Sequence, residues 1–305
     1  MSKRCILGID GGGTKTESVI IDDSGTVLGT GLGKGCNTSF TPVSAACRAV
    51  KRSVVSALKS ASLSPADIDC VGVCVCGRSS VFEDTLKDLG IAAERFGFGE
   101  PTVSFERAGV SERRGVVIVA GTGSFSAAID GEKEFFTGGW GAILGDEGSA
   151  FDIGVRGVKT ALASSDGRIP ESALLAAAYD YFKVRQGGLV YKLCGTTVKR
   201  ALIAGFAVRV AKAAEQGDQA AAGIIEGAGE DLGELGAFAA RHVFSSDDSF
   251  PFVLAGGVFN IGEPIISPIR SVLSPQFPKA SFAVQKMGPG EAVARLAQRK
   301  CSRRH

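Results

Sequence analysis

The segment Leu7-Gly8-Ile9-Asp10-Gly11-Gly12-Gly13-Thr14-Lys15-Thr16 holds the residue types best suited to chemistry. An apolar run delivers Asp10 at its end, and glycines follow where a hairpin must turn. The backbone N–H groups of Gly12 and Gly13 can face an anion there, because no Cβ keeps phosphate oxygens away. Thr14 and Thr16 add hydroxyls, Lys15 a point charge, and Asp10 a hard oxygen for Mg2+, reached through water. A plain glycine-rich turn is the bland alternative, but three consecutive glycines lose much backbone entropy for a turn alone. The segment is neither a GxxxxGK[ST] loop nor a GxGxxG fingerprint that opens a helix. It runs from one strand into the next.

Two more glycine breaks follow strand-like runs. Gly121-Thr122-Gly123-Ser124 ends GVVIVA and reads as a second phosphate turn. Leu254-Ala255-Gly256-Gly257 ends FPFV, where bare backbone could lie against a planar base. The single tryptophan, Trp140, stands between Gly139 and Gly141, which leaves its ring open to the C–H face of a sugar. Asp146 and Glu147 are expected to open a helix running from Gly148 onward, where carboxylates suit the dipole. For both, capping that helix is the alternative to contacting a ligand. Glycine makes up 42 of 305 residues, about 14%, against a usual share of about 7%. With only two histidines, His242 and His305, a His-rich metal site or a Ser-His-Asp triad is excluded as the main chemistry.

These residues need strands to deliver them. CILGID, TESVIID and TVLGTG alternate as strands around the turn Asp23-Ser24-Gly25. Thr41-Pro42 starts a helix whose apolar face is Val43, Cys47, Val50, Val54 and Leu58, ending near Ala61. A turn at Ser64-Pro65, a strand at 70–76, a helix at about 81–89 and a strand near 102–105 complete a mixed α/β unit. From Gly115 the design repeats: GVVIVAGTGS, SFSAAID, the turn Asp130-Gly131, then EKEFF. The repetition predicts two related halves, an N-terminal lobe over 1–114 and a C-terminal lobe over 115–290. Residues 172–186 and 197–243 read as helical, 250–259 as a buried strand, and a last helix over 291–305 returns to the first lobe.

Thirty-four basic against 32 acidic residues leave a net charge of +2, too little to recruit nucleic acid or an anionic membrane. The apolar stretch Cys5–Ile9 is too short for a signal peptide, and no run reaches a spanning length. The chain reads as cytoplasmic. The terminal cluster Arg299, Lys300, Arg303 and Arg304 reads as a solvated helix end. Cys70, Cys74 and Cys76 fall on one face of a strand, which allows core packing or a three-thiolate metal site.

The order D-G-G-G-T, G-T-G-S, A-G-G-V resembles the two phosphate motifs and the adenosine motif of the actin/hexokinase/heat-shock-chaperone superfamily. Within it, Gly138-Gly139-Trp140-Gly141-Ala142-Ile143-Leu144-Gly145-Asp146-Glu147-Gly148-Ser149-Ala150 is similar to the signature of the N-acetylglucosamine kinase and BadF/BadG/BcrA/BcrD ATPase group. Ile203-Ala204-Gly205-Phe206 and Gln216-Gly217-Asp218 are similar to that group's helical region. The resemblance implies a two-lobed, ribonuclease-H-like duplicated fold with the ATP cleft between the lobes. It implies ATP-dependent phosphorylation of an amino sugar such as N-acetylglucosamine or glucosamine, with Mg2+ as cofactor and a homodimer as the common assembly. By the same resemblance Asp10 organises Mg2+, and Gly12, Gly13, Thr14, Lys15, Thr122, Gly123 and Ser124 hold phosphates. Gly256 and Gly257 lie along adenosine with Ala204 nearby. Asn37, otherwise a loop turn residue, matches the sugar-binding asparagine. Gly139, Trp140 and Asp146 match the sugar-contacting segment.

One part of the pattern is missing. Kinases of this group take their general base from an aspartate ending the strand before the GTGS strand, yet no aspartate occurs between Asp88 and Asp130. With Pro101–Ala108 taken as that strand, Glu106 is the best substitute and Asp146 the second candidate. Two other readings remain at this stage. A BadF-type ATPase could activate a partner dehydratase or reductase through an Fe–S cluster, a reading faintly supported by Cys76-Gly77-Arg78. A sensor that lost catalysis ranks last, since no nucleic-acid-binding motif is visible.

Overall fold

A computed structural model describes residues 4–302 apart from Phe40, Cys76, Ser111, Gln186 and 195–199. Cys76, Arg303, Arg304 and His305 of the sequence reading therefore lie outside the described residues, as do positions 197–199 of the expected helical region. The chain divides into two compact units, 1–112 with 285–305, and 113–284.

The first unit opens with β1 (Cys5–Gly11), β2 (Lys15–Asp22) and β3 (Val27–Lys34) as an antiparallel meander. Helix α1 (Val43–Ala61) leads to β4 (Ile68–Val75), and α2 (Ser80–Asp88) leads to β5 (Glu94–Phe98) and α3 (Glu100–Ala108). Both β4 and β5 run parallel to β1, giving the order β3-β2-β1-β4-β5. Packing of α1 explains part of the glycine excess. Gly29, Gly31 and Gly33 alternate along β3, so they share a face. A Cβ on each would come within 2.5, 2.0 and 2.2 Å of the Ala57, Ser53 and Ala49 carbonyls. The helix lies directly on strand backbone, and small residues at four-residue spacing make its seam.

The strand expected near 102–105 is instead the middle of α3, and the preceding strand is β5. Gly99-Glu100-Pro101 is a helix start, since proline in the first turn gives up no intrahelical bond. Pro101, Ser104, Phe105 and Ala108 are buried at the i, i+3, i+4, i+7 spacing of a helix face.

The second unit repeats the plan. Strands β6 (Arg114–Ala120), β7 (Ser124–Asp130) and β8 (Lys133–Gly138) form the meander. Among the described residues six helices follow: α4 (Ala150–Ser165), α5 (Leu174–Phe182), α6 (Gly188–Leu193), α7 (Arg200–Gly205), α8 (Ala207–Glu215) and α9 (Gln219–Arg241). Strand β9 (Pro251–Ala255), α10 (Glu263–Leu273) and β10 (Ser281–Val284) complete it. The order β8-β7-β6-β9-β10 is that of the first sheet, so the duplicated α/β architecture expected from the sequence is present. Strand β9 is shorter than the 250–259 run, because Gly257–Ile261 turns into a 3₁₀ helix. Helix α4 starts at Ala150 rather than Gly148. Ser149 caps it by accepting from the Asp152 N–H at 3.2 Å, and Asp152 accepts from the Gly148 N–H at 2.9 Å.

Asp218 shows how the helical layer is pinned. It caps α9 by accepting from the Ala221 N–H at 2.9 Å, and it also accepts from the Ser172 hydroxyl at 2.8 Å and the Ala173 N–H at 2.7 Å. Burial opposes its ionisation, but these bonds outweigh burial and hold the carboxyl below the usual range. Its contribution is thus complete above the unfolded value near about 4 and fades as pH falls through the lower folded value. Asp218→Ala is expected to lower unfolding stability by about 1–2 kcal/mol at neutral pH. Denaturant unfolding at pH 7 and pH 3 checks this, the difference between variant and parent shrinking at the lower pH.

The chain then returns to the first unit through α11 (Pro289–Ser302), which begins two residues before the expected Glu291. Its small residues Ala294, Ala297 and Cys301 pack with Ile6, Val19, Ile21 and Cys70. Among the described residues no helix is long and apolar enough to cross a membrane.

Candidate active site

In the first unit, β1 and β2 stay paired out to Gly11 and Thr16, and the Gly12 N–H donates to the Lys15 carbonyl at 3.0 Å. Gly13 and Thr14 are therefore the exposed tip of a tight hairpin. The Gly12 carbonyl accepts from the Cys36 and Asn37 N–H groups at 3.1 and 3.3 Å. A Cβ on Gly35 would stand 2.1 Å from the Gly13 carbonyl oxygen, so the hairpin rests on backbone at 35–37. Asn37 lies beside it, with its Oδ1 accepting from the Ser39 N–H at 2.9 Å. Lys15 is exposed and its ammonium is 3.9 Å from Glu17.

At the root of the hairpin three strand ends converge. Register places Asp10 of β1 beside Cys74 of β4, and Cys74 beside Phe98 of β5, two residues before Glu100. Ligand atoms of Asp10, Cys74 and Glu100 lie within 4.8 Å of one another. The Cys74 thiol donates to Glu100 Oε2 at 3.6 Å. Burial, then the charge of Glu100, push Asp10 up to about 8, with Arg107 and Lys15 opposing. Burial also raises Glu100, against the pull of Arg107 and the Cys74 thiol.

Glu106, the base expected from the sequence, sits two turns into α3. Its two carboxylate oxygens are taken by the Arg299 guanidinium, one of them at 3.0 Å. The carboxylate that follows the strand before the GTGS strand is Glu100, the first residue of α3, which sequence reasoning did not single out. The Gly-Glu-Pro helix-start signal could have found it. Among the described residues no group of three metal-ligating side chains contains more than one thiol, Cys74. Cys70 instead packs against α11, its thiol 3.9 Å from the Ala297 carbonyl.

In the second unit, the Gly121-Thr122-Gly123-Ser124 turn is fixed by the start of α4. The Ala150 and Phe151 N–H groups donate to the Gly121 and Thr122 carbonyls at 2.9 and 3.4 Å. The Ser124 hydroxyl donates to the Glu147 carbonyl at 2.6 Å. Asp146, only 3% exposed and at φ 64°, precedes the helix rather than opening it. It accepts from the Ser124 N–H at 3.3 Å and from the Arg200 guanidinium at 2.8 Å. A Cβ on Gly123 would meet that carboxylate at 2.7 Å, so a larger residue there must displace Asp146. Trp140 is 74% exposed, and Gly139 and Gly141 around it both have φ near +80° (74° and 88°), which only glycine adopts readily. Gly256 has φ 123° and abuts Ala120, while Gly257 is exposed with nothing within 4 Å of a Cβ position. Ala204 is buried at 7% exposure with Phe151 and Ile203.

The chain is similar over its whole length to the N-acetylmuramic acid/N-acetylglucosamine kinase of Clostridium acetobutylicum, at 27% identity, with 97% of this chain and 99% of that protein covered. The N-acetyl-D-glucosamine kinase of Dictyostelium discoideum is 30% identical over 57% of this chain and 59% of its own length. In fold, the chain is similar to a ROK family glucokinase from Streptomyces griseus solved with glucose and AMPPNP, at TM-score 0.65 and 17% identity, covering 97% of this chain and 99% of that one. Residues 7–292, which include the three glycine-bearing turns and the GGWG…GDEGSA segment, match the BadF/BadG/BcrA/BcrD ATPase family, and the chain belongs to it.

Proposed function

We propose that this protein transfers the γ-phosphoryl group of ATP to a hydroxyl of an amino sugar, N-acetylglucosamine or glucosamine, with Glu100 as general base. The observation that carries the assignment is the meeting of Asp10, near the end of β1, with Glu100, at the start of α3, at the root of an exposed glycine hairpin. Glu100 accepts the sugar hydroxyl proton as that oxygen attacks phosphorus; the bond from γ-phosphorus to the bridging oxygen breaks and ADP departs. A base raised by burial suits this work near neutral pH. Gly12, Gly13, Thr14 and Lys15 receive phosphate oxygens in the first unit, and Thr122, Gly123 and Ser124 do so in the second. Mg2+ fits the hard carboxylate oxygens here; Asp10 would hold it with its waters, and it would neutralise charge on the phosphates. Asp146, with both oxygens engaged, serves to fix the Gly121–Ser124 turn. Exposed Gly257 leaves backbone free for the adenine face, and the Trp140 ring is available to a sugar C–H face. Asn37 supplies a sugar hydrogen bond through its amide N–H2, since its Oδ1 already closes a turn.

A coupled ADP-release assay with N-acetylglucosamine, glucosamine, N-acetylmuramic acid and glucose tests the reading. Turnover stimulated most by an amino sugar is expected. ATP hydrolysis indifferent to every sugar would remove the kinase assignment.

A further inference from the structure

We propose that Asp10, Cys74 and Glu100 form a binding site for a thiophilic divalent cation, of the zinc or cadmium class, distinct in preference from Mg2+. The three ligand atoms come from three neighbouring positions of one sheet end and lie within 4.8 Å of one another. Cys74 is buried at 2% exposure in the middle of the set. Its sulfur is 3.6 Å from Glu100 Oε2. That separation is the one two ligands of a tetrahedral zinc adopt: with Zn–S of about 2.3 Å and Zn–O of about 2.1 Å, sulfur and oxygen stand about 3.6 Å apart. The Asp10 carboxylate lies within 4.8 Å of both other ligand atoms, so completing the set asks for a shift of at most about 1 Å.

The donor set decides the preference. Mg2+ takes oxygen ligands and keeps most of its waters, so a thiol contributes nothing to it. Thiolate sulfur favours zinc and its heavier congener. Three protein ligands leave a fourth position open to water, as in an accessible zinc site. An occupied site engages Glu100 Oε2 and lowers the basicity of the carboxylate toward a sugar proton; that consequence rests on the base assignment above, whereas the binding does not.

The test therefore reads binding rather than turnover. The full chain, freed of metal and kept in excess Mg2+, is titrated with Cd2+ while the thiolate-to-cadmium charge-transfer absorption is followed, and Zn2+ is then added in competition. One equivalent of Cd2+ with that absorption, displaced by Zn2+, is expected. Cys74→Ser should abolish the absorption, and Glu100→Gln should weaken Cd2+ at least tenfold, while Cys194→Ala, an exposed thiol elsewhere, changes neither. Circular dichroism establishes that each variant is folded, and if Cys74→Ser is not, the Glu100→Gln arm decides. Absorption that survives in folded Cys74→Ser, or an affinity unchanged by Glu100→Gln, overturns the proposal.

Discussion

Glu100→Gln is expected to lower kcat by about 10²–10⁴-fold while leaving the KM for ATP within a few-fold. The replacement keeps the shape of the side chain and removes only its ability to take a proton. Glutamine can still accept from the Cys74 thiol, so the packing at the strand ends survives. A selective loss of kcat is the signature of an interaction used only in the transition state. Glu106→Gln is the internal control. Its carboxylate is bound to Arg299 on α11, and losing that half-exposed pair should cost at most about 1 kcal/mol of stability. Turnover of Glu106→Gln should stay within a few-fold of the parent. If instead Glu106→Gln carries the large loss and Glu100→Gln does not, the base is misassigned. Phosphoryl transfer depends more on positioning than on proton removal, so the lower end of the range would still support the role.

That Glu100 did not stand out in the sequence has a physical cause. The three glycine-bearing turns were legible in the sequence because glycine after an apolar strand leaves a local mark. So was the duplicated architecture, since each half begins with two hairpins, the best short-range signals a chain carries. The position of Glu100 depends on where β5 ends, and β5 is half-exposed and carries arginine, glycine and glutamate, with no clean alternation. Placing that strand near 102–105 moved the strand end past Glu100. Asp146 was legible as a residue of interest but not in its pairing with Arg200, fifty-four positions away. Helix α1 shows the same limit in the core. Its large apolar residues suggested a face through Val43 and Cys47, yet Val43 is exposed. Val50, Val54 and Leu58 of the expected face are buried, and Ala46, Ala49, Ser53 and Ala57 widen it toward β3. Small residues became the contact surface because glycines of β3 let the helix approach, and neither half of that arrangement marks itself in a hydrophobicity pattern.

Gly8→Ala should test that close-approach argument at the strand that carries Asp10. Gly8 lies on β1 between buried Leu7 and Ile9, paired with Val19 of β2 and Gly72 of β4. A Cβ there would stand 2.2 Å from the Gly290 carbonyl oxygen, 2.3 Å from the Ala294 nitrogen and 2.8 Å from its Cα. All three are backbone atoms of α11, so no side chain can swing aside. The strand cannot yield either, being bonded on both edges and packed through its neighbours. The helix must therefore lift from the sheet, opening gaps around Ile6, Val19, Cys70 and Ala297. Forced repacking of this kind costs about 3 kcal/mol, which for a protein of this size corresponds to a fall in Tm of about 10 °C. Gly13→Ala isolates the cause. It is the same chemical change in the same strand–hairpin segment, but nothing lies within 4 Å of the added Cβ. Its Tm should stay within about 2 °C of the parent, while its KM for ATP rises because a methyl group now stands where phosphate oxygens approach the backbone. Thermal unfolding of the two variants side by side separates glycine required by packing from glycine required by ligand. Equal Tm values for both would mean that the contact between β1 and α11 is looser than these distances.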